Sequence, residues 1–146
     1  MKRPRVPRRK AKTRVPRRSA EREGGRAFDV VAAVGLTMPG VTAVTRYDGS
    51  PALKAGGAFM AGLASHESAE PASLVVRSTF EDRQWLLEDA PEIYYLTDYY
   101  RKYPLVLARL ARLDRAALRD LLAVSRRLTL AKVLHGTKDQ EPRLKD

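Results

Sequence analysis

The sequence predicts an α+β domain of two layers, an antiparallel sheet with helices on one face. Three observations predict it. Short apolar segments with strand character cluster between residues 41 and 77 and are joined by turn residues, Gly56-Gly57 above all. Helical periodicity brackets them, first over Phe28–Leu36 and last over Arg115–Leu134. The order is helix, several strands, helix, two strands, helix. Strands joined by hairpins pair antiparallel, and amphipathic helices must then cover one sheet face.

Each element has its own local reason. Phe28, Val31, Ala32, Gly35 and Leu36 share a helix face, and Met38-Pro39-Gly40 stops that helix. Val41–Arg46 reads as a strand, and Asp48-Gly49-Ser50-Pro51 as a turn. Ala52–Ala55 and Ala58–Leu63 form a hairpin about Gly56-Gly57, Ser65–Pro71 is a polar loop, and Ser73–Arg77 is the next strand. Thr79 caps a short helix over Phe80–Leu87, with Asp82 three residues on. Trp85 in that helix is expected to anchor the core. Ile93–Leu96 and Leu105–Leu110 are strands flanking Tyr99–Tyr103. Asp114 caps the longest helix, whose apolar side is Leu118, Leu121, Leu122, Val124 and Leu128.

Charge divides the chain more sharply than hydropathy does. Residues 1–26 hold twelve Lys or Arg against Glu21 and Glu23, a net of +10 out of the chain's +11. A pI of about 10.3 would ordinarily mark a nucleic-acid-binding domain. Here it describes a terminal segment. Arg5-Val6-Pro7-Arg8-Arg9 recurs nine residues later as Arg14-Val15-Pro16-Arg17-Arg18. Dense like charge and proline predict a disordered, extended tail over residues 1–25, a domain over 26–136 and a flexible tail over 137–146. An extended basic strand suits phosphates. With six to ten phosphates neutralised, affinity would fall roughly 10³–10⁵-fold between 50 and 200 mM salt. Within the body, residues 27–98 carry four bases and ten acids, and residues 99–135 nine bases and two acids.

Several function classes lack their residues. There is no Cys, which excludes thiolate chemistry and disulfides and fits a cytoplasmic location. No apolar run approaches the roughly 18 residues of a membrane span. Neither Ser65 nor Ser68 has a placed base, and Gly56-Gly57 lies between strands rather than opening a helix over phosphates. His66, with Glu67 and Glu70, reads as a loop surface cluster, with a weak metal site as the alternative. The expectation is a nonenzymatic protein with no cofactor and no metal.

Binding residues are the alternative. Three tyrosines alternate with Arg101 and Lys102 in the Tyr99–Tyr103 segment, and aromatics beside bases can stack on nucleobases and hold phosphates. In the competing arrangement Tyr99 and Tyr103 pack inward and Tyr100 and Arg101 are solvated. Arg115, Arg119 and Arg126 form a stripe on the last helix. The candidate nonspecific DNA contacts are therefore Tyr100, Arg101, Lys102, Arg109, Arg112, Arg115 and Arg119 of the body, with Arg8, Arg9, Arg17 and Arg18 of the tail. A protein partner, a homodimer, or a small ligand or metal in a sheet-face pocket are the other readings.

Met38-Pro39-Gly40-Val41, the run from Tyr47 to Lys54, Gly56-Gly57-Ala58-Phe59, and the stretch from Tyr94 to Pro104 occur in an order and spacing that resembles the MmcQ/YjbR family of small bacterial proteins. Ser125-Arg126-Arg127-Leu128 resembles the family's closing helix. The resemblance spans about residues 28–134. It departs at Met38, where the family has leucine, and at Leu53, where it has phenylalanine. It implies a CyaY-like α+β fold and a double-wing mode of DNA binding.

Overall fold

A computed structural model describes residues 17–135 of the chain, with side chains from residue 24 onward. The elements are α1 (Arg17–Gly35), β1 (Val41–Thr45), β2 (Pro51–Ala55), β3 (Ala58–Leu63), β4 (Ser73–Arg77), α2 (Phe80–Asp89), β5 (Tyr94–Tyr95), α3 (Asp98–Arg101), β6 (Leu105–Arg109), a 3₁₀ turn (Leu110–Arg112) and α4 (Arg115–Leu134). The six strands form one antiparallel sheet in the order β1-β2-β3-β4-β6-β5. The fold is α+β, as the alternation of elements requires.

Local chemistry sets the element boundaries. Gly56 and Gly57 adopt φ of +60° and +86°, which closes the β2–β3 hairpin with a twist that matches its strands. The Thr79 hydroxyl accepts from the Asp82 N–H at 2.9 Å and the Asp114 carboxylate from the Ala117 N–H at 2.8 Å, so α2 and α4 begin where their caps stand.

The core has two parts, one on each sheet face. Alternate residues of β4 and β6 divide between them: Leu74, Val76, Val106 and Ala108 face α1 and α4, while Val75, Leu105 and Leu107 face Phe59 and Tyr100. The long helices therefore cover one face. On the other, α3 packs through Tyr100 together with Ala64, Ala69 and Tyr95.

Three expectations need correction. The first helix begins at Arg17 and runs through Gly24-Gly25, where a disordered tail was expected to residue 25. Residues 17–23 are largely good helix formers. Gly24 has a packing reason, because a Cβ there would stand 3.2 Å from Leu63 Cδ2. Residues 1–16 and 136–146 of the expected tails lie outside the described residues. The second correction is Trp85, which is 68% exposed rather than a core anchor. Leu86 and Leu87 take the core-facing side of α2, and the preceding residue points about 100° away from Leu86 around the helix. The third is the buried seam of α4, which runs through Leu118, Leu122, Ser125 and Thr129 instead of Val124 and Leu128. Both hydroxyls satisfy themselves: Ser125 donates to the Met60 carbonyl at 2.8 Å and Thr129 to the Ser125 carbonyl at 2.7 Å.

Candidate nucleic-acid interface

Arg112, Arg115 and Arg119 are exposed, and their side chains make no hydrogen bond or ion pair among the described residues. Their position follows from the sheet register. Arg109, the last residue of β6, pairs with Ser73, the first of β4, and Leu74 pairs with Leu63, the last of β3. The 3₁₀ turn and α4 start directly after Arg109, so they start at this end of the sheet. Gly24 lies against Leu63 at the same end, whereas Gly35 lies near Leu53 and Leu122. The chain therefore enters α1 beside the start of α4. Arg126, seven residues beyond Arg119 and on the same flank of the helix, donates to the Pro39 carbonyl at 2.8 Å just past α1. That flank of α4 faces α1.

Arg101 and Lys102 are exposed but stand elsewhere. They lie at α3, on the opposite sheet face, and precede Leu105 at the other end of β6. Arg101 is 3.6 Å from Asp98 in an exposed ion pair, and the Lys102 ammonium lies 5.9 Å from the Tyr103 ring centre. The structure thus brings Arg112, Arg115 and Arg119 together and separates them from Arg101 and Lys102.

Two candidates are removed from any such interface. Tyr100 is fully buried, at 0% exposure, between Phe59, Leu105 and Leu107. Its hydroxyl accepts from the His66 N–H at 3.2 Å, and burial raises its pKa. A base cannot stack on it. The inward tyrosine of this segment is thus Tyr100, with Tyr99 and Tyr103 half-buried around it. Arg109 is held by Glu70 at 2.8 and 2.9 Å, lies 4.4 Å from the Tyr95 ring centre, and donates to the carbonyls of Pro91 and Glu92. Its fork is occupied by the protein itself. Arg17 and Arg18 open α1. Their side chains, and all of Arg8 and Arg9, lie outside the described residues.

Other arginines also serve the fold. Arg83 donates from Nη1 to the carbonyls of Arg101, Tyr103 and Leu105, at 3.0, 2.8 and 3.3 Å. Burial, and then the charge of Arg101, hold its pKa below the usual value. Arg46 is buried, donates to Ser50 Oγ at 2.9 Å and to the Leu63 carbonyl, and lies over Phe59. Positive charge in this body is a poor guide to a binding surface until each guanidinium is followed to its partner.

His66 stacks on Tyr99 with ring centres 3.6 Å apart and planes 9° from parallel. Its Nδ1 accepts from the Ser68 N–H at 3.0 Å. Nearby, Asp48 accepts from Ser50 and from Ser65 Oγ at 2.9 Å. Burial pulls the Asp48 pKa upward, but the bonds from Ser50 and Ser65 and the charge of Arg46 outweigh it, and the net shift is downward. Asp48, Ser50, Ser65 and His66 border an open cavity of about 610 Å³. Among the described residues no three His, Cys, Asp or Glu side chains come together as a metal would need, and no helix is long and apolar enough to cross a membrane.

Sequence spacing missed one surface, a groove between α2 and α4 walled by Trp85. The signal available was the acid-rich, weakly amphipathic character of residues 80–89, where Leu86 and Leu87 are half-buried against the core and no side chain is fully buried. No family model matches the chain, and neither a curated protein nor a solved structure matches it.

Proposed function

We propose that the chain is a nonenzymatic DNA-binding protein that grips phosphates without reading sequence, through its N-terminal basic segment and through Arg112, Arg115 and Arg119. The observation that carries this reading is the location of those three exposed arginines. They stand at the end of the sheet where α1 begins, and α1 is the element that the basic residues 1–16 precede in the chain. Exposed arginines without a partner among the described residues, in a chain whose N-terminal segment is itself strongly basic, favour a polyanion. The resemblance to the MmcQ/YjbR family supports the same reading, and the absence of cysteine supports a cytoplasmic location. Arg101 and Lys102, on the far face, would form a separate contact.

Fluorescence anisotropy with a labelled DNA duplex across a salt series tests the proposal. The proteins to compare are the full chain, a chain lacking residues 1–16, and the triple variant Arg112→Ala, Arg115→Ala, Arg119→Ala. Losing three phosphate contacts should lower the slope of log K against log salt by about 3. A shortened chain with no salt-dependent binding would show that the body does not read DNA.

A protein-interaction role is favoured by one observation, the exposed Trp85 and Phe80 on the acidic helix α2. Light scattering across protein concentration tests its homodimeric form. A monomer at every concentration removes that form.

A further inference from the structure

The groove between α2 and α4 has a cavity of about 480 Å³. Trp85 and Leu86 wall it from α2, and Leu121 and Val124 from α4. Tyr94 also lines it and is 7% exposed, and its hydroxyl has no hydrogen-bond partner among the described residues. Such an unpaired hydroxyl beside an open aromatic wall suits a ligand that brings its own polar group.

The α2 side of the groove is acidic. α2 carries Glu81, Asp82, Glu88 and Asp89 against one base, Arg83, whose guanidinium is turned to the α3 carbonyls. Asp120 stands across the groove. Arg127 is the exposed base at this rim, while Arg77 is buried and donates to the Phe59 carbonyl at 2.9 Å. An apolar groove with an indole wall, borne on an acidic helix, fits an extended, proline-bearing, arginine-rich peptide. Proline holds such a peptide extended at little entropic cost, and guanidinium groups stack on indole.

The chain itself contains that peptide. Residues 1–16 hold eight Lys or Arg, no acid, Pro4, Pro7 and Pro16, and Val6 and Val15. They join the body at Arg17, at the sheet end where α4 begins. From there the groove lies across α4, one helix diameter of roughly 10–12 Å away. Sixteen residues in an extended proline-rich form span roughly 50 Å, more than enough.

We propose that residues 1–16 dock in the α2–α4 groove of the same molecule. An arginine of the Arg5–Arg9 copy of the repeat covers Trp85, and its neighbours meet Asp82 and Asp120. Bound in this way, the segment is withheld from other anionic partners. The inference concerns the same segment that the DNA reading uses, but it is tested with no nucleic acid present, so its failure leaves that reading standing.

Trp85 is the one tryptophan in the chain and reports the event directly. Acrylamide quenching of its fluorescence is measured, with no nucleic acid present, in three proteins. These are the full chain, the variant Arg5→Ser, Arg8→Ser, Arg9→Ser, Arg14→Ser, and the variant Asp82→Asn, Asp120→Asn. Far-UV circular dichroism checks that all three are equally folded. Uncovering the indole by loss of its arginine stack should raise the quenching constant about twofold in both variants. The difference should vanish near 1 M salt, where the screening length shrinks to about 3 Å. Equal quenching in all three proteins at low salt overturns the proposal. Protection that grows with protein concentration also overturns it, because a second copy would then be the occupant.

Discussion

Glu70 holds Arg109 by both arms of its guanidinium, Oε1 to Nε at 2.8 Å and Oε2 to Nη2 at 2.9 Å. The fork ties the loop before β4 to the end of β6, over the face of Tyr95. Arg109→Ala should destabilise the fold by about 1–2 kcal/mol, because packing on Tyr95 and bonds to two backbone carbonyls are lost along with the ion pair. Arg109→Lys should recover only part of this, since an ammonium cannot fork. Urea denaturation measures the loss, while the salt dependence of DNA binding should stay unchanged.

Tyr100 is a core residue with a hydroxyl function. Tyr100→Phe leaves the His66 N–H without its partner and should cost about 1 kcal/mol. Tyr100→Ala, which empties a fully buried site, should cost about 3–5 kcal/mol. Thermal unfolding distinguishes the two. A Tyr100→Phe protein of normal stability whose DNA affinity has dropped tenfold would contradict this assignment.

Ser125 joins α4 to the middle of the sheet. Replacing it with alanine strands the Met60 carbonyl in a buried position and should cost about 1–2 kcal/mol. Thr129→Val should cost less, because its hydroxyl bonds within its own helix to a carbonyl that already serves the helix ladder. Chemical denaturation of the two variants gives the ranking directly.

The acid limb of stability carries the signature of Asp48. Its folded pKa lies below the ordinary 3.8, so its contribution is fully present above that value and is lost as pH falls through the folded pKa. Asp48→Asn removes the titration. The gap in urea midpoint between the native chain and the Asp48→Asn variant should be constant from pH 7 to about 5 and close below about pH 4. A gap independent of pH down to about 2 would show that Asp48 has no depressed pKa.

Gly56 adopts φ of +60°, and a Cβ there would lie 3.0 Å from Leu130 Cδ2. Gly56→Ala meets both left-handed backbone strain and a clash with α4. It should cost about 1–2 kcal/mol. Gly57, with φ of +86° but open space around it, should show the backbone part alone. The difference in melting temperature between the two alanine variants isolates the contact with α4.

Sequence by itself determined most of the elements, their order and their local punctuation, though not α3 or the part of α1 before Phe28. Short apolar runs bounded by turn residues set β3, β4 and β6, the glycine pair set the hairpin, and Thr79 and Asp114 set two helix starts. All of these signals act over a few residues, so they are written where they operate. The concentration of charge in the first 26 residues is equally a property of sequence. Tertiary structure alone decided the fate of each polar and aromatic side chain. Arg109 is captured by a carboxylate 39 residues away, Tyr100 is sealed beneath the loop holding His66, Ser125 is buried against Met60, and Trp85 is left in solvent. Helical or strand spacing says which residues share a face. What that face meets depends on partners distant in the chain, and for a guanidinium, a hydroxyl or an indole the partner determines whether it holds the fold together or remains available to bind.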